Sequence, residues 1–511
     1  MASDTFPNLS EPLLPPAPAS QQQDDDDEAD CESQSPTQAS TIASTSRVAS
    51  SDEADAAGGI DPLLSSQSKT KMNGFVLAVI LFFNASGGPF GIEPSLKAAG
   101  NLYAIIGFAA MPMLWSLPEA IMTYELSTMF PCASGGVRFT EEAFGEIWGL
   151  LVGYLGWISG VAYNASLPIL FLSYVNNQFF PHSTENWALQ YGILVGITVI
   201  LTFVNYRGLE VVGGASVLIF FLTMAPFVIL VIIGIPNVDT SKWLQTPSGD
   251  TTVENNSLDE NGWFPLPNIA GIALRPFINN LYWNFNGFDQ ASHYSTTVSK
   301  KTLRNGIAGS LVLVSSAYLI PILVITGATN IEQNQWNEGS FATAGTEIGG
   351  RWLGNWIVFS SGVSLLAQFF SEMAADSMGV QGLADRGHVP SIFRHQSPYN
   401  TPTYAMLLGL VVILAMLPFS FSVIIELSNF SYCLSITIEF LAFGQLMIRR
   451  GESSAFRKTM YAMLLMAPLL FNVAVILLAS YATYIYIACV FLFGILLINA
   501  RRVNVSCCNT R

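Results

Sequence analysis

From residue 72 onward the chain is a succession of long apolar runs separated by short polar ones. A helix needs about 20 apolar residues to cross the hydrocarbon of a bilayer. By that rule the sequence predicts twelve spans: 72–98, 101–130, 147–176, 187–205, 211–235, 272–298, 305–327, 353–380, 402–420, 423–448, 459–479 and 481–500. Residues 459–500 contain no Asp, Glu, Lys or Arg. At about 1.5 Å per residue that run is roughly twice the core thickness, so a turn near Ser480 is expected. Residues 1–71 have no such run; they are rich in Ser, Gln, Ala, Pro and Asp, with the acidic stretch Asp24–Glu28. They hold too little apolar surface to offset the entropy of ordering, which predicts a disordered acidic cytosolic tail. The expected organisation is that tail, a membrane domain at 72–500 and a short cytosolic tail at 501–511. Within the domain, 72–235 and 272–448 form two blocks of five spans, and 459–500 adds two helices.

Composition supports lipid as the solvent. The chain is 51% hydrophobic and 11% charged, against about 25% charged in soluble domains. Of the net charge of −15, −10 lies in residues 1–71. Orientation follows from Lys and Arg. With the N-terminus in the cytosol, 17 of the 21 bases fall on the cytosolic side and four, Lys97, Lys242, Arg275 and Arg351, fall outside or at the outer interface. Both termini are then cytosolic and the loop 236–271, with its sequon Asn255-Asn256-Ser257, is external. The plasma membrane is the expected location, with an endolysosomal or vacuolar membrane as the alternative. The dileucine pairs Leu13-Leu14 and Leu63-Leu64 are candidate sorting signals, and Cys507 and Cys508 are candidate palmitoylation sites.

Two spans carry more than an anchor needs. Gly87-Gly88-Pro89-Phe90-Gly91 interrupts the first, where a missing amide and permissive glycines unwind the helix. Trp283-Asn284-Phe285-Asn286-Gly287-Phe288-Asp289 interrupts the sixth. The breaks lie about 197 residues apart, each in the first helix of a five-span block. Unwound backbone at membrane depth is tolerated only against protein or a water-filled cavity, and paired breaks point to a transporter's binding site.

Acids inside spans are expensive and usually functional. Glu93 follows the first break, Asp289 closes the second, Glu119 and Glu125 lie in span two, and Glu426 and Glu439 lie in span ten near its ends, where a structural role is expected. Glu372 and Asp376, four apart, share a face of span eight. Few bases match them. They suit either a cationic substrate or proton uptake, with Glu119, Glu372 and Asp376 as proton-coupling candidates. Asp289 is alternatively a cap for the second half-helix. Trp283, Phe90 and Phe288 are candidate gates with cation–π contacts to an amine. The histidines His182, His293, His388 and His395 are scattered, and no nucleophile–base pair, phosphate loop, metal spacing or basic nucleic-acid patch appears. Neither an enzyme nor a cofactor is expected.

SGGPFGIEPSLKAAG (86–100) and WSLPEAIMTYELSTMFP (115–131) resemble the amino acid–polyamine–organocation superfamily, and within it the polyamine/proton symporters of plants and protists. SGVAYNASLPILFLSY (159–174), LYWNFNGFDQAS (281–292), SEMAADSMGVQGLADRGHVP (371–390) and TPTYAMLLG (401–409) carry the same resemblance. It implies an all-α fold of 12 transmembrane helices, a LeuT-type 5+5 inverted repeat plus two, with helices 1 and 6 broken. It implies secondary transport driven by a proton gradient, the partners being protons, the bilayer and a small cationic amine or amino acid. Its site lies between spans 1, 3, 6 and 8. There Gly87, Gly88, Pro89, Phe90, Gly91, Ile92 and Glu93 bind alongside Tyr163, Asn164, Trp283, Asn284, Phe285 and Asn286, and Asp289 meets the amine. Asn84 departs from the acid expected at its position, and span five lacks the lysine that some proton-coupled relatives carry. The loop 177–186 has no cysteine, so a disulfide-linked heavy chain is not expected. A neutral amino acid transporter of the same fold and a non-transporting nutrient sensor remain the alternatives.

Overall fold

The computed structural model describes residues 72–132, 134–180, 186–208, 214–247, 271–451, 455–492 and 494. The N-terminal tail with its dileucine pairs, the sequon at Asn255, the end of the twelfth span, and Cys507 and Cys508 lie outside the described residues. Regular structure among the described residues is helical, with one isolated bridge between Gln396 and Pro402.

Chain order begins with α1 (Gly74–Ala85) and α2 (Glu93–Met111), which continues through a π-helical turn at Pro112–Ser116 into α3 (Leu117–Met129). Next come α4 (Gly136–Phe144), α5 (Glu146–Phe179), α6 (Trp187–Tyr206), α7 (Gly214–Gly234) and α8 (Leu274–Phe285). The second half holds α9 (Lys300–Ala328), α10 (Ser340–Gly349), α11 (Arg351–Asp385), α12 (Thr403–Met416), α13 (Phe421–Arg449), α14 (Ala455–Leu478) and α15 (Tyr481–Leu492). Eight helices among the described residues are long and apolar enough to cross a membrane, and α1, α12 and α15 are shorter apolar helices.

Each expected span carries a helix, with revised ends. The first span is two pieces, α1 and the start of α2, and the chain turns at Gly100, where φ is 69° and ψ is 176°. A positive φ is a conformation glycine adopts without penalty. The sixth span is α8 followed by a 3₁₀ segment, Phe288–Tyr294, with the interruption at Asn286–Gly287 inside the segment expected to break. Two helices, α4 and α10, occupy loops that the length rule left unassigned. At 9 and 10 residues they are too short to cross, and α4 carries Arg138, Glu141 and Glu142.

The core forms where helices bury nearly all sides. α5 packs on α11 and α13, and α1 packs on α9. Trp115, Tyr282, Phe440 and Phe471 form an aromatic knot joining the π turn, α8, α13 and α14, with Trp115 and Tyr282 centroids 4.6 Å apart. In contrast α6 buries only Leu194, Thr198, Thr202 and Asn205, and its other face presents Ile193, Val199, Ile200 and Phe203. An apolar face that wide on a soluble monomer would mark an interaction site; here it suits lipid.

The expected turn near Ser480 separates α14 from α15. Glu426 fastens it: its Oε1 accepts from Ser480 N at 2.6 Å and Thr483 Oγ1 at 2.7 Å. Charged hydrogen bonds of this kind are worth about 1.5–3 kcal/mol. Glu426→Ala should therefore lower the Tm of the detergent-solubilised protein, while Glu426→Gln, which keeps an acceptor, should retain most of it. Equal melting of all three in a thermal-shift assay would refute the cap.

Candidate functional site

The two breaks lie against each other. In the first, α1 ends at Ala85 and the chain runs irregularly from Ser86 to Ile92, with positive φ at Gly87, Gly88 and Gly91. In the second, Asn286 is extended and Gly287 is left-handed, with φ 97° and ψ 9°. A Cβ on Gly287 would lie 3.3 Å from Asn84 O and 3.5 Å from the Ala85 Cα, so glycine sets the approach of one break to the other.

Side chains from neighbouring helices satisfy the freed backbone. At the first break, Ser364 Oγ of α11 donates to Gly87 O. Asn280 Nδ2 of α8 donates to Gly91 O at 2.7 Å, and Ser86 Oγ accepts from Gly88 N at 3.2 Å. At the second, Ser116 Oγ donates to Phe285 O at 2.9 Å. Glu119 Oε1 accepts from Gly287 N and Asp289 N, both at 3.1 Å. The start of the 3₁₀ segment is thus capped by Glu119 of α3. The sequence offered Asp289 as that cap; its carboxylate instead accepts from Tyr432 OH at 2.6 Å.

The acids form a chain across the molecule. Tyr432 OH also lies 2.7 Å from Glu119 Oε1. Gln290, next to Asp289, donates to Glu372 Oε2 at 3.2 Å. Glu372 and Asp376 converge over Gly160 of α5, where an added methyl would fall on both carboxylates. Asn164 lies beside Asp376, and Glu439 of α13 lies near Asp289 and Glu119. Glu119, Asp376 and Glu439 are buried, whereas Asp289 and Glu372 are partly accessible. Among the described residues, no group of three or more His, Cys, Asp and Glu forms a metal-binding arrangement.

The predicted aromatics divide. Trp283 is buried with its ring 5.6 Å from Tyr163 and 5.4 Å from Phe421. Its Nε1 and the Asn284 Oδ1 are buried without a hydrogen-bond partner. Tyr163 OH donates to Gln368 Oε1 at 2.5 Å, linking α5 to α11. Phe90 instead packs edge-on to Tyr174 and Phe227, and Phe285 packs on Phe108 and Tyr318. Neither ring joins the Trp283–Tyr163 group. Pro89, Ile92 and Phe288 are buried, and Asn286 is partly accessible.

Glu93 belongs to another structure. Its Oε1 accepts from Tyr174 OH at 2.5 Å, Gly339 N at 3.1 Å and Phe341 N at 3.4 Å. It caps α10, a helix N-terminus being a ready anion site, and ties that helix to α2 beside the first break. The residues that sequence reasoning missed are the hydrogen-bonding neutrals Asn280, Ser364, Gln368, Gln290 and Tyr432. Their only signal was polarity within apolar runs, and an acid stands out there more than an amide does.

A sequence profile described as amino acid permease matches residues 74–506. The chain is 37% identical over 380 residues to the polyamine transporter RMV1 of Arabidopsis thaliana, covering 74% of this chain and 73% of that protein. It is 35% identical over 380 residues to the polyamine transporter PUT1 of rice (Oryza sativa subsp. japonica), with coverage of 74% and 67%. An arginine/ornithine antiporter of Lactococcus lactis is 23% identical over 66% of this chain and 70% of its own length. Among solved structures, a manganese transporter of Eremococcus coleocola superposes with a TM-score of 0.52 at 13% identity, over 85% of this chain and 94% of that one.

The Glu93 cap has a direct readout. Glu93→Ala should speed backbone hydrogen exchange at the start of α10, around Gly339–Phe341, while α12 stays unchanged. Exchange at α10 that does not move in the variant would contradict the cap.

Proposed function

This chain belongs to the amino acid permease family, and we propose that within it the protein is a proton-coupled symporter of polyamines or cationic amino acids working by alternating access. Being a permease, it is a transporter and not an enzyme. The observation that carries the substrate reading is the chain of acids Glu119, Asp289, Glu372 and Asp376 at the second break and on the adjoining α11. The charged groups acting on Glu119, Glu372 and Asp376 are themselves acids. Carboxylates gathered at low dielectric need positive charge, which protons or ammonium groups supply.

A polyamine suits this arrangement. It is an apolar chain with ammonium groups at intervals, so one end meets Asp289 and another the Glu372–Asp376 pair. Trp283 and Tyr163 cover the methylenes between, and their rings favour a cation above them. The names of the plant relatives point the same way, and the arginine/ornithine antiporter extends the reading to cationic amino acids. Carboxyls left uncompensated by substrate take protons, which ties uptake to the proton gradient. The loaded site then favours occlusion, and rocking of one bundle against the other opens it to the far side. The positive-inside count supports a topology with both termini in the cytosol, and the plasma membrane is the proposed location.

The test is uptake of radiolabelled putrescine and spermidine by transport-deficient cells, at acidic and at neutral outside pH, for wild type and Asp289→Asn. Saturable uptake that rises with acidity and collapses in the variant is expected. A surface-expressed protein that takes up neither amine at either pH overturns the polyamine reading, and neutral amino acids become the substrates to try.

A further inference from the structure

One face of α3 carries Glu119, Thr123 and Ser127 at four-residue intervals. All three are buried, at 0%, 1% and 2% exposure. Glu119 Oε2, Thr123 Oγ1 and Ser127 Oγ have no hydrogen-bond partner. Other helical hydroxyls divide: Thr202, Ser315, Thr326 and Thr437 each bond the carbonyl four residues back, while Thr140, Thr198, Thr223 and Thr403 stand singly without a partner. Among the described residues, only on α3 do two unpartnered hydroxyls follow an acid at four-residue intervals. The back-bond is the usual resort of a helical Ser or Thr. A buried polar group without a partner is costly, and buried water is the common remedy.

The two ends of this face differ. Glu119 is fixed to the second break through Gly287 N, Asp289 N and Tyr432 OH. Ser127 is about 12 Å further along the helix, at 1.5 Å per residue. It stands two residues beyond Glu125, which reaches Arg450 at 3.8 Å where both side chains are partly exposed. Ser127 is thus level with the arginine-rich, solvent-exposed end of the molecule.

We propose that Thr123 and Ser127 form a proton-release path from Glu119 to the aqueous phase at that end. The inference rests on the proton-coupled reading above and adds the route. The Glu119 O–H gives its proton to an adjacent water or hydroxyl oxygen as that group passes its own proton onward. Each hydroxyl ends as it began, and one proton leaves at Ser127. Glu119 is left as a carboxylate, held by the two amides of Gly287 and Asp289. The titratable groups facing Glu119 are Asp289 on the 3₁₀ segment, Tyr432 and Glu439 on α13, and Tyr282 on α8.

The experiment uses the full chain in proteoliposomes with putrescine as the probe. Net uptake and proton influx are measured under an imposed pH gradient. Exchange of labelled for unlabelled putrescine is measured at equal pH, where the carrier returns loaded and release is not needed. For the Thr123→Val, Ser127→Ala double variant, net uptake and proton influx should fall at least about tenfold, since positioned proton transfer is worth about 10²–10⁴ in rate. Exchange should persist, and Thr123→Ser with Ser127→Thr should restore net uptake. Thr128→Val, whose hydroxyl already bonds Glu125 O at 2.9 Å, should behave as wild type. Unchanged net uptake in the double variant, or a parallel fall of uptake and exchange, overturns the path. Glu119→Gln separates this from the underlying reading. If Glu119→Gln abolishes gradient-driven accumulation but the double variant does not, only the path fails. If Glu119→Gln keeps it, Glu119 is not the proton site and the path fails, whereas wild type without gradient-driven uptake would fail the proton-coupled reading itself.

Discussion

Everything at the centre of this molecule depends on how unwound backbone is satisfied inside a membrane. Helix is the default there because no water is available to bond a free amide or carbonyl. The chain breaks that rule twice, in spans one and six, and each break survives because other helices supply partners. Glu119 is the strongest of these. One carboxylate oxygen holds two amides of the second break and lies 2.7 Å from the Tyr432 hydroxyl. The same bonds place a second acid, Asp289, on the other side of Tyr432.

The two breaks are secured by different chemistry. The first is held by neutral groups, Ser364 and Asn280, and the second by an acid. The bonds that hold the first break come from uncharged side chains, and Glu93 beyond it faces α10. Negative charge therefore concentrates on the side of the second break and α11, where Asp289 and Glu372 stay partly accessible while Trp283 and Tyr163 form the apolar wall. Such asymmetry suits a substrate whose charge is positive and whose body is aliphatic.

Much of the fold was legible because apolar length is a strong signal. The turn at Ser480, the breaks at Gly87 and Gly287, and the paired faces of Glu372 and Asp376 followed from run length, Gly and Pro chemistry, and helical period. At the candidate site, the acids and Trp283 stood out in the sequence as polar or bulky residues inside the spans or next to the breaks. What stayed hidden has a common cause: a side chain's partner depends on which helices touch, and sequence spacing is silent on that. Glu93 stands two residues after a break, yet it bonds a helix 246 residues away. Glu439 was read as structural from its place near a span end, but it lies near Asp289 and Glu119. Phe90 and Phe285 lie at the breaks but pack into buried aromatic clusters away from Trp283.

The central claim is that separated acids at the breaks receive two positive charges on one ligand. Equilibrium binding of putrescine and of n-butylamine to the purified protein tests it most directly, since the two differ chiefly in the second ammonium. One further charged hydrogen bond is worth about 1.5–3 kcal/mol, so putrescine should bind at least about tenfold more tightly. Equal affinity for the two amines would contradict the claim.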